Sequence, residues 1–147
     1  MIPKLHAAAG SLTLLTIATF WSSTIVTELF GSHVLIAQTK ALILWGMVVL
    51  IPAMATAGAT GAALSKNRKG PVIARKSRRM KIIAANGLLI LLPSAMFLAL
   101  RAGSGQFDAV FYSIQAVELI AGATNITLLT ANLRDGLAMA ARRKIPA

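Results

Sequence analysis

The sequence predicts an all-α integral membrane protein, a four-helix bundle with antiparallel neighbours and both termini on the cytoplasmic side (N-in/C-in). Three observations predict it. Of the 147 residues, 56% are hydrophobic and only 13% are charged, well to the apolar side of a soluble domain of this length. The apolar residues gather in four runs, each able to supply the roughly 20 helical residues that cross a hydrocarbon core. The basic residues, which bring the formal net charge to +11, fall almost all on one side of those runs.

The runs are placed at 8–30, 41–64, 82–101 and 109–131. The first opens near "KLHAAAG", a lysine followed by an apolar stretch, as in a signal peptide. No small-x-small cleavage site with a mature domain behind it follows, so it is read as a retained helix. Its Thr16, Thr19, Ser23 and Thr27 recur at helical spacing, hydroxyls that bond back to their own backbone or across to a neighbour. Lipid is as apolar as leucine, so membrane helices associate through close backbone approach at small residues. The second run offers such a face in Ala53, Ala57 and Gly61, beside Gly58 and Ala62. Pro52 and Pro93 sit inside the second and third runs, where each removes a backbone hydrogen bond and is expected to kink its helix. Their contexts, "GMVVLIPAM" and "GLLILLPSAM", are alike over a few residues in helices of opposite direction, which fits shared packing demands better than duplication.

Lys and Arg near the ends of spans set orientation. Lys4, the eight cations Lys66, Arg68, Lys69, Arg75, Lys76, Arg78, Arg79 and Lys81, and then Arg134, Arg142, Arg143 and Lys144 share one side; Lys40 and Arg101 lie on the other. The expected organisation is a single transmembrane domain, 1–147, with a basic cytoplasmic loop at 65–81 and a basic tail at 132–147. Two short outer loops, "GSHVLIAQTK" and "RAGSGQFD", complete it, in the inner membrane of a bacterial-type cell. The eight loop cations follow from topology alone. They are also candidates to bind anionic lipid headgroups, at about 1 kcal/mol per residue near the surface, or an acidic face of a partner. Nucleic acid is not an expected partner, because the loop is tethered to a membrane and has no interleaved aromatics.

Glu28 with Lys40, and Arg101 with Asp108, are expected to form interfacial ion pairs across the two outer loops, each worth little. Glu118 differs. It lies in the middle of "FYSIQAVELIAGATNITLLTANLRDG", roughly 14 Å along the helix from Ala109 and near mid-depth of a core about 30 Å thick. Gln115, Glu118, Gly122 and Asn125 share a helix face by their 3-4-3 spacing, and a face so polar turns away from lipid. No cation appears at the same depth in another span, so an ionised Glu118 is expected to need an ion or a partner from outside the chain. One reading makes Gln115, Glu118 and Asn125 interhelical hydrogen-bonding groups worth about 1 kcal/mol each or less. The other makes them a proton relay, a cation site or a polar handle for a quinone or pigment.

His6 and His33 are candidate axial ligands for haem b. They stand 27 residues apart, roughly 40 Å along a helix, and cannot face one iron; a His–Met pair with Met47, Met54 or Met96 is the remaining geometry. His6 near the start of the first span resembles the arrangement in small membrane haem proteins, including the b-type cytochromes and the membrane-bound haem-containing protoporphyrinogen oxidase. That resemblance covers one histidine and a helix count and carries no function over. The chain has no cysteine, which excludes disulfides, thiolate metal sites and cysteine nucleophiles. It has no P-loop, dinucleotide-binding glycine pattern, metal-binding histidine pair or Ser-His-acid set, so no enzyme is expected. The sequence fits best a small accessory or scaffold subunit that packs against other membrane subunits of a larger complex, redox or energy-converting, or against itself. The alternatives are a small oligomeric proton- or ion-coupled transporter using Glu118, and a haem- or quinone-binding redox subunit.

Overall fold

In the computed structural model, residues 1–66 and 70–142 are described and nearly all are helical. Helix α1 spans Ile2–Phe30, α2 His33–Lys66, α3 Pro71–Asn86, α4 Leu92–Gly103 and α5 Ala109–Arg142, with a π-helical turn, Gly87–Leu91, joining α3 directly to α4. The chain therefore has four helical segments long and apolar enough to cross a membrane, the third running Pro71–Gly103.

The helices outrun the apolar runs, because an apolar run ends with the last greasy residue whereas a helix ends at its caps. The N–H of Gly31 closes α1 on Thr27 O at 2.8 Å. The Ser32 hydroxyl then accepts from Leu35 N–H at 3.3 Å, the arrangement of a serine helix cap. Helix α2 thus begins at His33, eight residues before the expected start, and all of "GSHVLIAQTK" beyond Gly31 and Ser32 is helical. The expected basic loop at 65–81 is mostly helix too. Helix α2 runs to Lys66, and α3 restarts at Pro71 after Gly70, whose φ of 143° suits glycine. Arg, Lys, Ala and Met are good helix formers, and Arg75 and Arg79 on α3 both pair with Asp135 on α5. Likewise α5 continues to Arg142 through most of the expected tail. Arg68, Lys69, Arg143 and Lys144 lie outside the described residues.

Two apolar clusters hold the helices together. Ile17, Leu50, Ile83 and Leu129 form one, ringed by Phe20, Met47 and Met54. Ile36, Leu98, Ala102 and Phe111 form the other, with Phe107 against it. His33 stacks on Phe107 at 4.1 Å between ring centroids, which puts the α1–α2 and α4–α5 turns at the same end of the molecule. The small-residue face of α2 is used within the chain: Ala53 and Ala57 are buried, and a Cβ on Gly61 would lie 3.1 Å from the His6 ring. Gly46 likewise leaves room for the Phe20 ring. Along α1 the buried hydroxyls are Thr13, Thr24 and Thr27 rather than Thr16, Thr19 and Ser23. Thr13 and Thr27 bond back to Ala9 O and Ser23 O, each at 2.9 Å.

The two prolines differ. Helix α2 runs through Pro52 as one α-helix, whereas the turn before Pro93 widens to π geometry. Proline lacks an N–H and crowds the carbonyl four residues earlier, here Leu89, and a π turn absorbs that crowding.

The Asp108 carboxylate caps α5, accepting from Phe111 N–H at 3.0 Å, and pairs with Arg101 as expected. The Phe111 N–H, aided by the Arg101 guanidinium, holds its carboxyl below the usual carboxylate range. A group depressed in the folded state stabilises above its unfolded value and loses that contribution as pH falls through the folded one. Asp108→Asn is therefore expected to lower the thermal midpoint slightly at neutral pH, with the gap from the parent closing as the melt is repeated below the ordinary carboxylate range.

Candidate functional site

Lys40 is the second buried charge that Glu118 was expected to lack. It follows His33 by seven residues, about 10 Å down α2, and Glu118 follows Ala109 by nine, about 14 Å down α5. Because both helices start at the same end, the two side chains meet. Lys40 Nζ donates to Glu118 Oε2 at 2.6 Å and reaches Thr24 Oγ1 on α1 at 3.5 Å. Gln115 Nε2 donates to the same Glu118 oxygen at 2.9 Å. The Lys40 side chain is 1% exposed and that of Glu118 12%, so this is a charge-assisted pair in a largely dry setting. The expectation that Glu118 must find its partner outside the chain is overturned.

The expected Glu28–Lys40 pair is overturned as well, since Lys40 turns inward to α5. Glu28 Oε1 is buried with no hydrogen-bond partner among the described residues, as is Gln115 Oε1. Glu28 stays within Coulombic reach of Lys40, Glu118 and His33.

A cavity of about 50 Å³ adjoins the pair, walled by Phe20, Trp21 and Thr24 of α1, Ile43, Met47 and Leu50 of α2, Leu91, and Glu118, Leu119 and Gly122 of α5. A bound water needs some 10–15 Å³ of such space and at least two polar partners, so the cavity has room for one or two. Trp21 is fixed at its edge by donating Nε1–H to Leu119 O at 2.9 Å, and Gly122 gives the indole its space, a Cβ there falling 2.9 Å from Trp21 Cδ1.

The polar face of α5 does turn inward, but as two separate clusters. Gln115 and Glu118 belong to the Lys40 cluster. Asn125, fully buried, belongs with Asn86: its Oδ1 accepts from Asn86 Nδ2 at 2.8 Å and its Nδ2 donates to Ile83 O at 3.4 Å. Asn86 Nδ2 also donates to Ala121 O at 2.8 Å. This cluster clasps α5 to the start of the π turn, where Gly87 admits the Met54 methyl. Asn125→Leu keeps the branched shape but adds bulk at a fully buried site and strips Asn86 of an acceptor; a loss of about 1–3 kcal/mol is expected, read from the unfolding midpoint of the purified protein.

His6 Nδ1 lies 3.1 Å from Ala57 O and 3.1 Å from Thr60 Oγ1. Facing a carbonyl, Nδ1 carries the proton, so Nε2 is the nitrogen His6 has to offer a ligand. His33 begins α2 instead of lying in a loop, its ring face covered by Phe107. From His33 to Ala57 is about 36 Å along α2, so the histidines do sit too far apart for one iron. Among the described residues no group of three or more His, Asp or Glu side chains is placed to hold a metal ion.

Of the basic segment, Arg75 and Arg79 pair with Asp135 at 3.1 and 2.7 Å, and Lys76 Nζ donates to Asn132 O at 3.0 Å. These cations bind α3 to α5, while Lys66, Arg78 and Lys81 remain exposed. No protein-family model, curated protein or solved structure matches the chain.

Proposed function

We propose that the protein is a multi-pass membrane protein of a bacterial-type inner membrane, with antiparallel neighbouring helices and both termini cytoplasmic, that serves as a small accessory or scaffold subunit. One observation carries this reading: the mid-helix charges Lys40 and Glu118 and the asparagines Asn86 and Asn125 bond to partners within the chain, while the outward faces are apolar. Leu15, Leu42, Trp45, Val48, Leu89, Leu100 and Ile120 are each 66–77% exposed. Surfaces so apolar call for lipid or a partner helix rather than water. The outward face of α5 is the place that suits a helix. There Thr124 and Thr127 bond back to Ile120 O and Ala123 O, leaving a low surface of small residues for close approach. Lys66, Arg78 and Lys81, exposed on the basic segment, are available to meet anionic headgroups or an acidic partner.

Topology is tested in a chain that needs no prior removal of cysteine. A Ser104→Cys variant in intact cells is expected to react with a membrane-impermeant maleimide, and Ser77→Cys only after permeabilisation. Native mass measurement after extraction in mild detergent tests the subunit role: co-purifying membrane protein or self-assembly supports it, and a strictly monomeric protein that brings down no partner overturns it.

A further inference from the structure

We propose that the cluster of Glu28, Lys40, Gln115 and Glu118 is a proton-exchange site that binds one proton at the end of the molecule carrying the two short turns. Its charge does not balance. Lys40 on α2 contacts Glu118 on α5 at 2.6 Å and Thr24 on α1 at 3.5 Å, and a second carboxylate, Glu28, stands one helical turn beyond Thr24, within Coulombic reach of the pair. Of the other charged or titratable groups near this end, Arg101 is paired with Asp108, and His33, stacked on Phe107, lies within Coulombic reach of Glu28. With all three groups ionised and His33 neutral the cluster carries one surplus negative charge beside a buried ion pair, where charge is poorly compensated, although Glu28 itself is only half-buried.

Its hydrogen bonds do not balance either. Gln115 is 3% exposed, and its amide nitrogen is spent on Glu118 while its oxygen has no donor among the described residues. Glu28 Oε1 is likewise buried without a donor. Buried acceptors left without donors are costly, and a bound proton adds a donor. One proton on a carboxylate oxygen forms one O–H bond, supplies a donor and takes the cluster from one negative charge to none. An alkali cation would answer the same count, but Lys40 Nζ already stands against Glu118 where such an ion would sit, and the pair would repel it. A route for the proton is at hand. Glu118 and Thr24 both line the 50 Å³ cavity, which has room for one or two waters beside them. Glu28, three residues before Gly31, stands at the turn end of α1.

The composition makes the test clean. The chain has four acidic residues, Glu28, Asp108, Glu118 and Asp135, so ¹³C labelling of glutamate carboxyl groups isolates the cluster. The full chain in nanodiscs of neutral lipid is titrated from mildly alkaline to mildly acid pH by infrared difference spectroscopy. The expected result is conversion of one labelled carboxylate to a carboxylic acid while the other stays ionised. Glu28→Gln, which spares the Lys40–Glu118 contact and so the fold, is expected to abolish that conversion with little change in thermal midpoint. The midpoint of the conversion is expected to be the same in sodium and choline salts. No conversion over this range, a two-proton titration, or a signal that survives Glu28→Gln overturns the proposal. A midpoint that moves with sodium overturns it in favour of an alkali-ion site.

Discussion

Lys40→Met is expected to destabilise the protein by about 3–5 kcal/mol, measured by reversible unfolding in mixed micelles. Methionine fills nearly the volume of the lysine stem, so little of that loss comes from packing. The cost arises because Glu118 would be left buried with only the Gln115 amide donating to it, with Glu28 nearby and no ammonium to offset either. The double variant Lys40→Met/Glu118→Leu is the informative companion. It removes both contacting charges, leaving the Gln115 amide unsatisfied and Glu28 without its nearby ammonium, so it is expected to recover most of the loss while staying short of the parent. Equal losses in the single and double variants would mean that burial of the side chains, not their charge, carries the energy. The exposed pair provides the contrast: Arg101→Met removes a partner from a carboxylate in contact with solvent, and little change in the unfolding midpoint is expected.

The geometry of that pair explains what the sequence conveys and what it conceals. Four apolar segments, the Arg101–Asp108 pair, the inward turn of Gln115, Glu118 and Asn125, and the wide separation of His6 and His33 are all legible, because each follows from helical periodicity or from rise per residue. The partner of Glu118 is concealed by one boundary. Counting apolar residues starts the second span after Lys40, which leaves the lysine at an interface. The cap signal in "GSHV", glycine to close α1 and serine to open α2, starts it at His33 and sets Lys40 two turns deep. Caps were the better guide because they satisfy backbone groups whatever the neighbouring side chains are. Asn86 is concealed for another reason. A lone asparagine inside the third run, before "GLLILLP", carries no periodic signal of its own, and only the continuous packing of α3, the π turn and α4 against α5 sets it beside Asn125. The same continuity turns the basic loop into a helix whose Arg75 and Arg79 are committed to Asp135, a contact that periodicity within one segment cannot show.

Gly122→Leu is expected to cost about 1–3 kcal/mol, and Gly58→Ala to gain up to about 1 kcal/mol, although both glycines lie within helices. Alanine or leucine improves helix propensity over glycine at either position, so the sign is decided by the surroundings. Nothing lies within 4 Å of a Cβ built on Gly58. At Gly122 a Cβ meets Trp21 Cδ1 at 2.9 Å, and the indole cannot retreat freely because its N–H is bonded to Leu119 O, one helical turn away. The neighbouring 50 Å³ cavity can take part of a leucine side chain, but not the Cβ that makes the overlap. Relief therefore requires breaking the Trp21–Leu119 hydrogen bond or moving α1 away from α5, and the second would also lengthen the reach from Thr24 to Lys40. Trp21 reports which occurs. In a Trp45→Phe background it is the sole tryptophan, and its emission is expected to shift in Gly122→Leu and stay unchanged in Gly58→Ala. If Gly122→Leu instead raised the unfolding midpoint with Trp21 emission unaltered, the indole would be free to move, and the wall between α1 and α5 around Glu118 would not be the rigid one on which a proton-exchange site depends.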